Sequence, residues 1–284
     1  MKTVLVTGAN GQLGQCIQKI QAQHSEIDFH FASINDLDIT NAEKVEEFFI
    51  KNNFEYCVNC AAYTNVELAE DESELAFLVN ATAAKQLAEA CKAHNVTLLH
   101  ISTDYVFDGK KTSPYTETDA TNPISVYGAS KLKGEQYIQE VFDKYFIIRT
   151  SWLYAEFGKN FYKTMVQKAK EKANLTITTE QTGTPTNAND LAELIVKIIN
   201  TDNTNYGIYH FSNDGAATWY DFTKEIIQNM RLAVADQPSL KPVATYKTKA
   251  ARPENSVLDK TKVRSIIQTI SWQESLRNLM KNYF

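Results

Sequence analysis

Thr7-Gly8-Ala9-Asn10-Gly11-Gln12-Leu13-Gly14 follows directly on a short apolar run, Thr3 to Val6. The run reads as a strand, and Gln12 to about Ala22 as a helix. Glycines at positions 8, 11 and 14 let the backbone turn tightly, approach a pyrophosphate and pack helix against strand. N–H groups at the helix start then face the phosphates. A glycine turn after a strand can also be purely structural. Its place in the first β-α unit favours a dinucleotide site, held by Gly8, Asn10, Gly11, Gln12, Leu13 and Gly14.

Outward from this turn, strand and helix alternate. Ile27 to Ala32 is the second expected strand. Thr40-Asn41-Ala42-Glu43 resembles a capping box opening a helix through Ile50. Glu55 to Cys60 is a strand. Glu72 to about His94 is one long helix, with Leu75, Leu78 and Val79 on one side. Val96 to Ser102 and Tyr145 to Thr150 are strands. Repeated β-α-β order with apolar strands predicts an α/β fold, a Rossmann-like doubly wound parallel sheet covered on both faces. The second half is less regular. Helices are expected at Asn160 to Glu171, Asn189 to Ile199, Thr218 to Met230, Asp259 to Ile266 and Gln273 to Asn282. Strands are expected at Leu175 to Glu180, Gly207 to Phe211 (returning to the main sheet) and Val243 to Tyr246. No linker separates the halves. The expected organisation is a dinucleotide-binding part, 1–150 with a return over roughly 187–230, and a smaller interleaved α/β substrate lobe, 151–186 and 231–284.

Dinucleotide choice is not legible. The second strand ends Phe31-Ala32-Ser33, with neither an acid for a ribose nor an arginine for a 2′-phosphate. Asp38-Ile39 is placed to cover the adenine. Asn59 to Tyr63, including Ala61 and Ala62, ends the next strand and should line pyrophosphate and ribose. Asn80 is a polar residue inside a helix. It either hydrogen-bonds a strand carbonyl and shapes the site, or faces solvent.

Tyr127-Gly128-Ala129-Ser130-Lys131 sets a phenol and an ammonium one helical turn apart on one face. Ketone reduction needs a hydride donor and a proton for the alkoxide. A free tyrosine, with a pKa of about 10, holds its proton too tightly. A nearby Lys131 is expected to lower that value and to reach the nicotinamide ribose. Thr103, at the C-terminal end of a strand, is placed to polarise the carbonyl.

Composition excludes several classes. A net charge of −5 without a basic block argues against nucleic acid. No apolar run approaches a membrane span. The chain enters a strand without a signal-peptide pattern, so a cytoplasmic location is expected. Cys57-Val58-Asn59-Cys60 has redox or metal spacing, but it lies within a strand-like run without a second pair or a histidine ligand. Buried reduced thiols are expected, and no metal.

The blocks Gly8-x-x-Gly11-Gln12-Leu13-Gly14, Ser102-Thr103-Asp104-Tyr105-Val106-Phe107-Asp108-Gly109 and Tyr127-Gly-x-x-Lys131-x-x-Gly134-Glu135 resemble the extended short-chain dehydrogenase/reductases. Within them the chain is similar to the dTDP-4-dehydrorhamnose reductases. Asn59-Cys60-Ala61-Ala62-Tyr63-Thr64, Arg149-Thr150-Ser151-Trp152-Leu153-Tyr154, Gln181-Thr182-Gly183-Thr184-Pro185-Thr186 and Ala251-Arg252-Pro253-Glu254-Asn255-Ser256 extend the likeness over nearly the full length. The resemblance implies NADPH or NADH as cofactor and a nucleotide sugar reduced at C4. It implies Tyr127 as proton donor, Lys131 as its tuner and Thr103 as carbonyl partner. Thr64, Val66, Asp104 and Trp152 would contact the sugar, and Arg252 the diphosphate; a surface ion pair is an equal alternative for Arg252.

Asp104 is followed by Tyr105, not by the second acid of the sugar-nucleotide dehydratases, which favours simple reduction. An epimerase uses the same Tyr/Lys pair, and a regulatory binding subunit shares the fold. Some family members carry an acid after the glycine turn that helps hold magnesium between the subunits of a homodimer. Gln15-Cys16 stands there in this chain, which counts against magnesium and that dimer mode.

Overall fold

The computed structural model describes residues 1–281. Six parallel strands form the main sheet. They are β1 (Lys2–Thr7), β2 (Ile27–Ala32), β3 (Tyr56–Asn59), β4 (Thr97–Thr103), β5 (Tyr145–Thr150) and a sixth at Gly207–His210. Their spatial order runs from the sixth strand through β5, β4, β3 and β1 to β2. The order reverses at β1, beside β3. That switch point opens a crevice at the C-terminal strand ends.

Apolar strands form here because both faces of the sheet are covered. On one face Val4, Val6, Val58, Leu99 and Ile148 pack on α1 (Gln12–Ile20) and the Ala188–Asn200 helix. On the other, Leu5, Cys57, Leu98 and Ile147 meet Val45, Phe49, Leu87 and Ile138 from three helices. Each fully buried aliphatic side chain contributes about 1.5–3 kcal/mol. A third core joins the Phe161–Lys170, Trp219–Asn229 and Trp272–Met280 helices around Tyr154, Phe222 and Leu276. No helix among the described residues is long and apolar enough to cross a membrane.

Several local expectations are corrected. Asn41, not Thr40, caps the helix Ala42–Lys51, accepting from the Lys44 N–H at 3.0 Å. The Thr40 hydroxyl is turned towards Asp38, to which it donates at 2.7 Å. The long helix expected over Glu72 to His94 is interrupted by a π-turn, Leu78–Thr82. Leu75 and Leu78 share a side as expected, and it is the solvent side. A short helix, Val66–Ala69, precedes this segment. The late strand lies at Leu240–Val243, earlier than expected, paired with Leu175–Thr178. The segment expected as a helix over Asp259 to Ile266 keeps only a 3-10 turn, Val263–Ser265. Its start is held extended, because Leu258 bridges Tyr115 and the Asp259 N–H donates to the Tyr115 carbonyl at 2.7 Å. The final helix begins at Trp272; Asn282, its expected end, lies outside the described residues.

Candidate active site

The crevice at the switch point is a cleft of about 820 Å³. At its floor, Gly8 has φ +66°, and a Cβ there would sit 2.6 Å from the Ala61 nitrogen. A side chain is therefore excluded on both conformational and steric grounds. Gly11 occupies the N-cap position of α1 and brings no side chain to cap it. The first-turn N–H groups are left for an outside acceptor, an anion site with the positive end of the helix dipole behind it. Asn10, Gln12 and Leu13 line the same end of the cleft, as do Ala61, Ala62, Asp38 and Ile39. Asp38 is turned inward, accepting from the Thr40 N–H and hydroxyl, which holds its carboxyl below the usual range.

Four residues named from the sequence stand back from the cleft wall, among them Asn59, which is bonded to Thr7 and His100 within the sheet. Gly14 packs α1 on Ala9. Tyr63 sends its hydroxyl to Glu72 at 2.7 Å. Asn80 is buried in the π-turn, where its Oδ1 accepts from the Tyr63 N–H at 2.8 Å. Its Nδ2 donates to the Tyr63 carbonyl and to the Ser130 hydroxyl, both at 3.0 Å. Asn80 thus ties the loop after β3 to the helix Val126–Val141, and the π-turn aims it there.

Ser125 caps that helix through the Gly128 N–H. The cap sets Tyr127 in its first turn and Lys131 one turn later, both on the cleft. Thr103 ends β4 and lines the cleft beside them. Its hydroxyl donates to Asp104 Oδ1 at 3.1 Å and interacts with the Tyr127 phenol. The expected lowering of the Tyr127 pKa is not what the structure gives. Burial pushes the phenol upward, and the Thr103 contact only partly offsets it. No pull from Lys131 is among the causes of the Tyr127 shift, and its Nζ meets the Ile101 carbonyl at 2.7 Å and His100 at 3.1 Å. Burial takes Lys131 itself down from 10.5 to about 8, against the opposing charge of Glu135. Asp104 is buried, with Oδ2 unpartnered, and burial raises its carboxyl to about 6.

At the far end, Thr64, Val66, Trp152 and Arg252 face the cleft. Arg252 makes an ion pair with Glu67 at 2.7 Å and also reaches the Tyr105 hydroxyl. The ion-pair alternative read from the sequence is present, and the pair stands on the cleft wall. Trp152 has φ +46°. Among the described residues, no group of three or more His, Cys, Asp or Glu could hold a metal. All four cysteines carry free thiols, and Cys60 borders the cleft.

Sequence reasoning missed Trp219, Phe161 and His100. Trp219 and Phe161 lie in helices that read as ordinary amphipathic segments, and only the third core turns them onto the cleft. His100 lies in the middle of β4, with no spacing pattern to mark it.

The profile of the family described as "RmlD substrate binding domain" matches residues 1–284. A dTDP-4-dehydrorhamnose reductase from Aggregatibacter actinomycetemcomitans is 40% identical, with 98% of each chain covered. The same enzyme from Escherichia coli K12 is 36% identical, over 99% of this chain and 98% of that one. Among solved structures, the dTDP-4-dehydrorhamnose reductase of Bacillus anthracis in complex with NADP superimposes with a TM-score of 0.94. It shares 39% identity over 99% of this chain and all of the other.

Proposed function

The chain belongs to the RmlD substrate binding domain family, and from that premise we propose that it reduces the C4 keto group of dTDP-4-dehydro-L-rhamnose with NADPH or NADH, giving dTDP-L-rhamnose for nucleotide-sugar metabolism. One observation carries the reading: Thr103, Tyr127 and Lys131 line the same cleft as the uncapped first turn of α1. A carbonyl-reducing triad and an anion site for a dinucleotide share one crevice.

The nicotinamide, when bound, supplies the hydride. The chain's own residues do the rest. The Gly8 turn and the first turn of α1 would hold the pyrophosphate, Asp38 and Ile39 would cover the adenine, and Ala61 and Ala62 would line the pyrophosphate and ribose. Tyr127 donates its proton to the developing alkoxide. Its raised pKa suits a donor, since the phenol keeps its proton until a stronger base forms beside it. Thr103 hydrogen-bonds the same oxygen and polarises the carbonyl. Lys131 orients the ribose and the phenol. Asp104, Trp152, Thr64 and Val66 hold the sugar, and Arg252 forks onto the diphosphate.

In this reading residues 1–150 and 187–230 hold the dinucleotide, and 151–186 with 231–284 form the sugar-nucleotide lobe. The reading also includes a cytoplasmic homodimer, checked by cell fractionation and light scattering. The decisive experiment mixes protein, NADPH and dTDP-4-dehydro-L-rhamnose and follows loss of the reduced cofactor. Turnover is expected; no oxidation of either NADPH or NADH would overturn the reading.

A further inference from the structure

Three neighbouring strands of the main sheet carry a polar ladder beneath the cleft. Thr7 pairs with Asn59 across β1 and β3, and Asn59 with His100 across β3 and β4. Thr7, Asn59 and His100 are each 1% exposed, and Lys131 2%. The Thr7 hydroxyl donates to Asn59 Oδ1 at 2.8 Å, and the Ala61 backbone N–H donates to the same oxygen at 3.2 Å. Asn59 Nδ2 lies 3.0 Å from His100 Nδ1, and His100 Nε2 lies 3.1 Å from Lys131 Nζ.

Donors and acceptors can be assigned along this line. A backbone N–H is only a donor, so Ala61 holds the amide oxygen of Asn59 towards itself. The amide NH₂ must then face the imidazole. His100 Nδ1 accepts from it, and a neutral imidazole carries its single hydrogen on Nε2. That hydrogen points at Lys131. An ammonium there would set N–H against N–H between two side chains that are almost fully buried. Turning Asn59 over moves the same conflict to the Ala61 N–H. Protonating His100 on both nitrogens makes two conflicts in place of one. Each leaves a buried donor without an acceptor, the costly case for a hydrogen-bonding group.

We propose that His100 is a positioning residue for Lys131: its Nε2–H donates to an uncharged Lys131 amine, in an orientation imposed from the other side by Asn59 and Ala61. The second Lys131 contact, to the Ile101 carbonyl, is met by one of the amine's own N–H groups. The charged and titratable groups around the pair are Glu135 on the Lys131 helix, itself tied to Arg149 and Ser102, and Cys60 at the end of β3. Burial of Lys131, which lowers its proton affinity, agrees with this assignment, as does the lowered proton affinity of His100. The consequence for turnover rests on the reductase reading above; the hydrogen position does not. A hydrogen bond to the neutral amine disfavours its charged form. His100 thus sets the pH above which Lys131 stops supplying positive charge to the reacting end of the cleft.

The test is nitrogen NMR on protein labelled in its histidine rings, whose ¹⁵N shifts distinguish the Nε2–H and Nδ1–H tautomers. Replacing His24, His30 and His94, which lie outside the core, leaves signals from the two buried histidines. His210 must carry its hydrogen on Nδ1, because that atom meets the Tyr115 carbonyl at 3.0 Å. One buried ring of each tautomer above pH 8 is expected. Two Nδ1–H rings would overturn the proposal. In the reductase assay, His100→Leu should move the alkaline limb of kcat/KM up by about one pH unit, and His100→Gln, whose amide can accept from Asn59 and donate to Lys131, should bring it back. An unmoved limb in a folded Leu variant would also overturn it. If that variant fails to fold, the wild-type tautomer decides. A protein that oxidises no reduced nicotinamide while showing the Nε2–H ring would sink the reductase reading and leave this one standing.

Discussion

Trp152 lies flat on Trp219, with ring centroids 3.6 Å apart and planes 6° from parallel. Trp219 is held by a bond from its Nε1 to Gln181 at 2.9 Å, and Phe161 packs on it at 4.5 Å. Behind Trp152 a Cβ on Gly183 would fall 2.6 Å from Cε2 of the indole. Gly183→Ala therefore pushes Trp152 off its partner. Such overpacking costs about 1–3 kcal/mol of stability. KM for the nucleotide sugar should rise by about tenfold, equivalent to about 1.4 kcal/mol of lost binding. Steady-state kinetics and urea unfolding check both, and an unchanged KM would remove Trp152 from the substrate site.

Tyr127→Phe keeps the ring and removes the proton. Its kcat should fall by about 10²–10⁴-fold. NADPH binding, followed by fluorescence titration, should stay within a few-fold of the parent. Turnover close to the parent's would exclude the phenol as the donor.

The Asp104 carboxyl is raised from 3.8 to about 6 by burial, only partly offset by hydrogen bonds from Ser256 and Thr103. Between these values the folded chain binds more protons at this position than the unfolded chain. Stability from this residue is therefore full below pH 3.8 and falls as pH rises towards 6. The whole loss is up to about 3 kcal/mol, at about 1.4 kcal/mol per pH unit. Asp104→Asn cannot ionise. Its stability relative to the parent should improve between pH 4 and 6.5 in urea titrations. A difference independent of pH would mean that the carboxyl is not held protonated.

Glu135 and Arg149 form an ion pair at 2.6 Å, with side chains 0% and 3% exposed, and the Ser102 hydroxyl donates to the same carboxylate at 2.5 Å. Glu135→Gln leaves a guanidinium without its counter-charge. Removing one partner of such a pair costs about 3–5 kcal/mol. Replacing both, as Glu135→Gln with Arg149→Met, should recover part of that loss. A denaturation midpoint that hardly moves in the single variant would show that solvent reaches the pair.

The α/β alternation, the sheet strands and the glycine turn were legible because their cause is local. Apolar runs between glycine and polar turns form buried strands, and Gly8 answers to a backbone angle within its own turn. The Tyr127 and Lys131 spacing was legible for the same reason, since one helical turn sets it. Thr40 was misassigned because adjacent Thr40 and Asn41 both offer a capping oxygen, and only the folded loop decides that the Lys44 N–H meets Asn41 while Thr40 turns to Asp38. Trp219 and Phe161 were invisible, because their helices are amphipathic and a one-dimensional pattern does not say which core an apolar face meets.

The chain's own order of residues thus determined the elements, the parallel sheet and the residue types gathered at its carboxyl edge. Tertiary structure alone decided the electrical state of those residues. Whether Lys131 lends its charge to Tyr127 depends on His100 and Ile101 on another strand, and whether Asp104 holds a proton depends on how much water the neighbouring elements exclude. Proton affinity is a property of surroundings assembled from distant parts of the chain, and no spacing within one helix contains it.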